Sequence, residues 1–195
     1  NVAGSTALLR AVEADQRRTA QLLLLAGADP NLANTKGVTP LTAAAFNGND
    51  RLVGLLLAEG AATDATDRTG RSAIVYAAAK GFTAIVGALL DHGVAVDARD
   101  AHQLTPLMWA AGHTADVPAG AGLATIELLL ARDAGLDLAD DRGRTALMIA
   151  SEAGHAEIAA LLLERGADPT RLDQAGLSAM DLAASEAVRV ALAAR

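Results

Sequence analysis

Small apolar residues recur along the chain in short blocks, separated by Gly, Asp and Asn. One kind of block follows a Thr or Ser. Counting that residue as zero and turning 100° per position, offsets 2, 5 and 6 share one side. They hold Leu41, Ala44 and Ala45, then Ile74, Ala77 and Ala78, then Leu107, Ala110 and Ala111. A second kind of block carries leucines, at Leu55–Leu57, Leu89–Leu90, Leu128–Leu130 and Leu161–Leu163. Both patterns predict short amphipathic helices with one buried side.

The blocks return at a fixed step. Thr6, Thr39, Ser72, Thr105, Thr145 and Ser178 are separated by 33, 33, 33, 40 and 33 residues. Five residues before them stand Asn1, Asn34, Asp67, Asp100, Asp140 and Asp173, side chains that fold a turn by bonding their own backbone. Two residues before them stand Gly4, Gly37, Gly70, Gln103, Gly143 and Gly176. Glycine in that place allows positive φ. Each Thr or Ser suits a helix N-cap, and Pro40 and Pro106 follow where a missing N–H costs nothing. Gly27, Gly60, Gly93 and Gly166 suit left-handed ends of the leucine helices. The prediction is turn, helix, turn, helix, repeated along the chain.

With "TPLTAAAFNGN" at Thr39, "TPLMWAAGH" at Thr105, "TALMIASEAGHAEIAALLLERGADP" at Thr145 and "LLLLAGADPN" at Leu22, the sequence resembles the ankyrin repeat family. The resemblance implies an all-α repeat solenoid of helix-turn-helix units with projecting hairpin-like turns, and a concave face that binds a partner. Six repeats are expected in a single domain over 1–195: about 1–33, 34–66, 67–99, 100–139, 140–172 and 173–195. The last is a C-terminal cap with a shortened second helix. Both ends depart from the repeat pattern as terminal repeats do, so a complete array is expected.

Composition narrows the function. Apolar residues make up 52%, yet the aromatics are only Phe46, Tyr76, Phe82 and Trp109, so the core must be built from small aliphatic side chains. The net charge of −7 and the lack of a basic tract argue against nucleic acid. Cysteine is absent, which excludes disulfides and thiolate chemistry. No apolar run approaches membrane-spanning length. A soluble protein is expected, cytoplasmic, or periplasmic if a signal peptide preceded Asn1. The excess of Arg over Lys points to a bacterial source.

Offsets 4, 7 and 8 of the first helix lie opposite the small-residue side. They hold Phe46, Tyr76, Lys80, Trp109 and His113, which are candidate partner contacts. The turn tips add Arg68, Arg71, Arg142 and Arg144, a basic stripe suited to carboxylates; the alternative is solvated residues paired with Asp67, Asp140 and Asp141. The fourth repeat is seven residues longer than its neighbours. Pro118, Gly120 and Gly122 argue against a longer helix there, so an extended turn is expected, either tolerated or serving as a contact loop. No catalytic motif, metal set or cofactor site is expected. His155 reads as structural, and His92 as a cation at a helix C-terminus. The leading reading is a monomeric, non-enzymatic scaffold that binds a partner protein. The competing readings are a regulatory or inhibitory subunit of an enzyme, and an enzyme with a site assembled across repeats.

Overall fold

The recurring Asn or Asp closes the segment ahead of each cap into a turn. In the computed structural model, which describes residues 4–113 and 117–194, Asn34 Oδ1 accepts the backbone N–H groups of Lys36 (2.9 Å) and Val38 (3.1 Å). Asp67, Asp100, Asp140 and Asp173 do the same for the residues two and four positions on. The turn glycines have the expected positive φ, +77° at Gly37 and +80° at Gly143, and Gln103 adopts +64° in the same place. Dihedral freedom is only part of the need. A Cβ on Gly37 would lie 3.0 Å from Asp67 Cα, and one on Gly143 would lie 3.0 Å from the Gln174 nitrogen. Turns stack backbone on backbone. Arg68 N–H donates to the Lys36 carbonyl (3.0 Å), Asp141 N–H to His102 (3.1 Å) and Gln174 N–H to Arg142 (2.9 Å).

The helices among the described residues are α1 (Ala7–Glu13), α2 (Arg17–Leu25), α3 (Pro40–Phe46), α4 (Asp50–Ala58), α5 (Ala73–Ala79), α6 (Thr83–Asp91), α7 (Pro106–Ala111), α8 (Ala119–Ala131), α9 (Ala146–Ala153), α10 (Ala156–Glu164) and α11 (Glu186–Ala193). No strand is present among the described residues. Thr6, Thr39, Thr105 and Thr145 cap α1, α3, α7 and α9, each hydroxyl accepting the N–H three residues on. The leucine helices end as expected. At α4, Ala61 N–H reaches back to the Leu56 carbonyl (2.9 Å) past Gly60 at φ +78°, which satisfies a terminal carbonyl. Asp133 takes the left-handed position after α8, at φ +63°.

The chain forms two compact units. One holds residues up to Ala77 with Ala84–Ala95; the other holds Ala78–Thr83 with residues from Val96 onward. In the first, α3 packs on α1 and α4, and α2 packs on α1 and α4. In the second, α7 packs on α8 and α9, and α10 packs on α8, α9 and α11. Offsets 2, 5 and 6 of α3, α5 and α7 are all buried, as the pattern predicts. The small Ala positions let helices approach closely, and Leu52, Leu56, Ile126 and Leu129 fill the remaining space.

Two expectations are corrected. The long repeat does lengthen a helix: α8 has 13 residues where α4, α6 and α10 have nine. Pro118 sits at its N-cap, outside the helix, where its missing N–H is harmless. The cost of Gly122 inside the helix is the condition for a close approach. A Cβ there would fall 2.5 Å from His113 Nε2. Residues 114–116 of the expected contact loop lie outside the described residues.

The second correction concerns Ser178, expected to cap a helix. Ser178 and Asp181 do bond reciprocally: the Ser178 N–H donates to Asp181 Oδ2 (2.9 Å) and the Asp181 N–H to Ser178 Oγ (3.3 Å). Only a turn follows. Ala184 N–H is drawn instead to the Ser151 carbonyl at 3.0 Å, and the chain restarts as α11 behind Ser185.

Candidate functional site

The turns and first helices place most of the candidate contact residues where solvent reaches them. In the first unit, Phe46 closes α3 and is 48% exposed. Its ring meets Tyr76 edge to face, with centroids 5.4 Å apart and planes at 86°, a favoured aromatic geometry. Tyr76 is half-buried on α5, and its hydroxyl donates to Asp67 Oδ2. Thr69 donates to the other carboxylate oxygen at 2.6 Å.

Charge state follows from this geometry. Burial alone would raise the Asp67 pKa. Hydrogen bonds from Thr69, Tyr76 and the backbone of Arg71 outweigh it and hold the carboxyl below its ordinary range. Burial and the bond to Asp67 push the Tyr76 phenol up. The neutral phenol therefore contributes stability fully below its unfolded pKa of about 10, and that contribution is lost as pH rises through the raised folded value. The chain has one tyrosine. Its phenolate absorbance should appear above the ordinary midpoint, and Asp67→Asn should move the midpoint back down. A wild-type midpoint at the ordinary value would contradict the Tyr76–Asp67 contact.

The second unit repeats the device with a different ring. Trp109 is half-buried on α7, and its Nε1–H donates to Asp100 Oδ2 at 3.0 Å. Asp100 is only 5% exposed and uses Oδ1 for the turn. One carboxylate thus holds both the turn and the aromatic. The common spacing of nine residues, Asp67 to Tyr76 and Asp100 to Trp109, was the available signal for these acids.

Other candidates fall differently. His113, expected on the outward side, is 9% exposed and stacks on His155, with centroids 4.2 Å apart and planes at 24°. His155 Nδ1 lies 2.9 Å from the Ala111 carbonyl, in keeping with a structural role. The His113 ring follows α7 and lies against Gly122 of α8; the His155 ring stands at the N-cap of α10. Lys80 and Arg71 are half-buried, and Arg68 is exposed. Of the turn-tip arginines, Arg142 and Arg144 have acidic partners. Arg142 folds back onto Asp140 Oδ2 (3.2 Å). Arg144 pairs with Glu152 and lies 3.7 Å from Asp173 Oδ2. Acids in the turns and on α9 satisfy these two cations locally.

Among the described residues, no group of three or more His, Cys, Asp or Glu side chains is placed to hold a metal ion. No described helix is long and apolar enough to cross a membrane.

Paired helices headed by Asp-closed turns, with aromatic rings tethered to those turns, define a helical repeat protein. The chain belongs to the ankyrin repeat family: the family model described as "Ankyrin repeats (3 copies)" matches residues 8–100, 41–119 and 117–193. Ankyrin repeat domain-containing protein 63 of Homo sapiens is 43% identical over 60 residues, covering 31% of this chain and 16% of that protein. The Mus musculus counterpart is 43% identical over the same length, covering 15% of its own chain. The match thus spans about a sixth of these relatives. A solved structure is similar over nearly all of both chains, 98% of this one and 99% of the other, at TM-score 0.84 and 26% identity. It is described as the Bd0816 predatory endopeptidase from Bdellovibrio bacteriovorus in complex with immunity protein Bd3460.

Proposed function

We propose that the chain is a non-enzymatic binding protein that holds a partner protein against its first helices and turn tips, one chain per partner. Membership of a family of protein-interaction modules supports this. The observation that carries it is the placement of the aromatics. In a chain with one Trp and one Tyr, both rings are tethered to turn acids and left half-exposed, beside an exposed Phe46. Tethered rings lose little freedom on binding, which favours them as anchors. Phe46 and Tyr76 form the contact patch of the first unit and Trp109 that of the second, with Lys80, Arg68 and Arg71 as polar neighbours.

Affinity capture from the source organism tests this. The wild type should recover a stoichiometric protein partner. Phe46→Ala, Tyr76→Ala and Trp109→Ala should each weaken recovery about tenfold or more, an anchor's cost, with helical circular dichroism unchanged. Capture that survives all three changes rejects the reading.

A second reading has its own support. The similarity to a structure described as an endopeptidase with its immunity protein, over almost the full length of both chains, favours a partner that is itself an enzyme. The chain would then restrain that enzyme by covering it. The captured protein should show hydrolytic activity that falls as the chain is added in equal amount.

A further inference from the structure

We infer that a basin under the turn at Asn34 takes one large apolar side chain of the partner protein, with a carboxylate beside it. This rests on the protein-binding reading and narrows it to one place and one chemistry. The basin lies wholly within the first unit and has a volume of about 410 Å³. Val38, Thr42 and Ala43 line it, together with the rings of Phe46 and Tyr76.

The two hydroxyls in its lining are already engaged, while the Asn47 amide stands at its edge. The Thr42 hydroxyl donates to the Thr39 carbonyl at 2.9 Å and accepts the Thr39 N–H at 2.8 Å. The Tyr76 hydroxyl is held by Asp67. The lining therefore offers an apolar guest mainly carbon, including the exposed part of Phe46, and a ring or branched aliphatic chain suits it better than a polar group.

The rim supplies the charge preference. Lys36 lines the basin from the turn side. Arg68 stands on the next turn, joined to it by the 3.0 Å bond from its N–H to the Lys36 carbonyl. Both side chains are exposed. Glu13 also lines the basin, and the Asp67 carboxylate holds the Tyr76 hydroxyl that lines it; Lys36, Arg68 and Arg71 of the two turns outnumber these acids by one. On a chain of net charge −7, this cationic tip is a local exception. An acidic partner segment is repelled by the rest of the surface and drawn here.

The test is a titration of the full ¹⁵N-labelled chain with three probes: acetyl-Phe-Asp-amide, acetyl-Phe-Lys-amide and acetyl-Ala-Asp-amide. The first should shift the amide signals of Val38, Thr42, Ala43 and Phe46, half-saturating at about threefold lower concentration than the second, as expected for an exposed charge pair. The alanine probe should leave those signals unmoved. Replacing the cations of the two adjacent turns, Lys36→Glu with Arg68→Glu, should reverse the order of the two Phe probes. An equal response to all three, or shifts confined to other residues, overturns the inference. The probes report on the basin alone, so their failure does so whatever the capture experiment gives. Failed capture with responsive probes counts against the wider reading only.

Discussion

Replacing Leu56 with alanine should lower the free energy of unfolding by about 2–5 kcal/mol, read from the midpoint and slope of urea denaturation. Leu56 is 0% exposed on α4, and the carbonyl of the same residue anchors the end of that helix through Ala61. Truncation leaves a void that close-packed neighbours fill only in part. The α3 helix that packs on α4 buries Ala43, Ala44 and Ala45, which have no further side chain to swing inward. In repeat proteins each element is held by its nearest neighbours, so loosening α4 also weakens what packs on it. Leu25 supplies the control: it is 73% exposed on α2, and Leu25→Ala should stay within about 0.5 kcal/mol of wild type. Equal stability of the two variants would reject the assigned core.

Asp100→Ala should cost about 3 kcal/mol or more, because it strips the partner from the N–H groups of His102 and Leu104 and from the Trp109 indole. Asp100→Asn should cost less. An asparagine keeps one oxygen for the turn, as Asn34 does, but its amide nitrogen cannot accept the indole N–H. The single tryptophan makes the outcome visible by fluorescence as well as by denaturation. If the asparagine variant matched the alanine variant in stability, the carboxylate's turn bonds would carry none of the effect.

What could be read from the sequence was whatever acts within a few residues. The turn acids, the threonine caps at Thr39 and Thr105, and the glycine ends at Gly27 and Gly60 all work through bonds to nearby backbone, so spacing alone locates them. Burial of the small-residue side was equally legible, because helical periodicity fixes which residues share a side. The misreadings concern partners distant in sequence. His113 is on the expected helix side, but His155 and Gly122 enclose it, and neither follows from the periodicity of α7. Gly120 and Gly122 were weighed by their intrinsic cost, whereas the close fit of Gly122 against an imidazole decided the outcome. Ser178 has its reciprocal partner in Asp181, yet a carbonyl on α9 captures the chain a few residues later. The pairing of Arg142 with Asp140 is one of the two arrangements the spacing allows, whereas that of Arg144 with Glu152 depends on a side-chain direction no spacing specifies.

The turn-to-turn bonds have a consequence for how the molecule opens. The amide hydrogens of Arg68, Asp141 and Gln174 are held by the preceding turn and not by any helix. Their exchange with deuterated solvent therefore times the parting of adjacent turns, while amides within α4 or α10 time the melting of a helix. Comparing the two sets separates slippage between neighbours from unravelling within one.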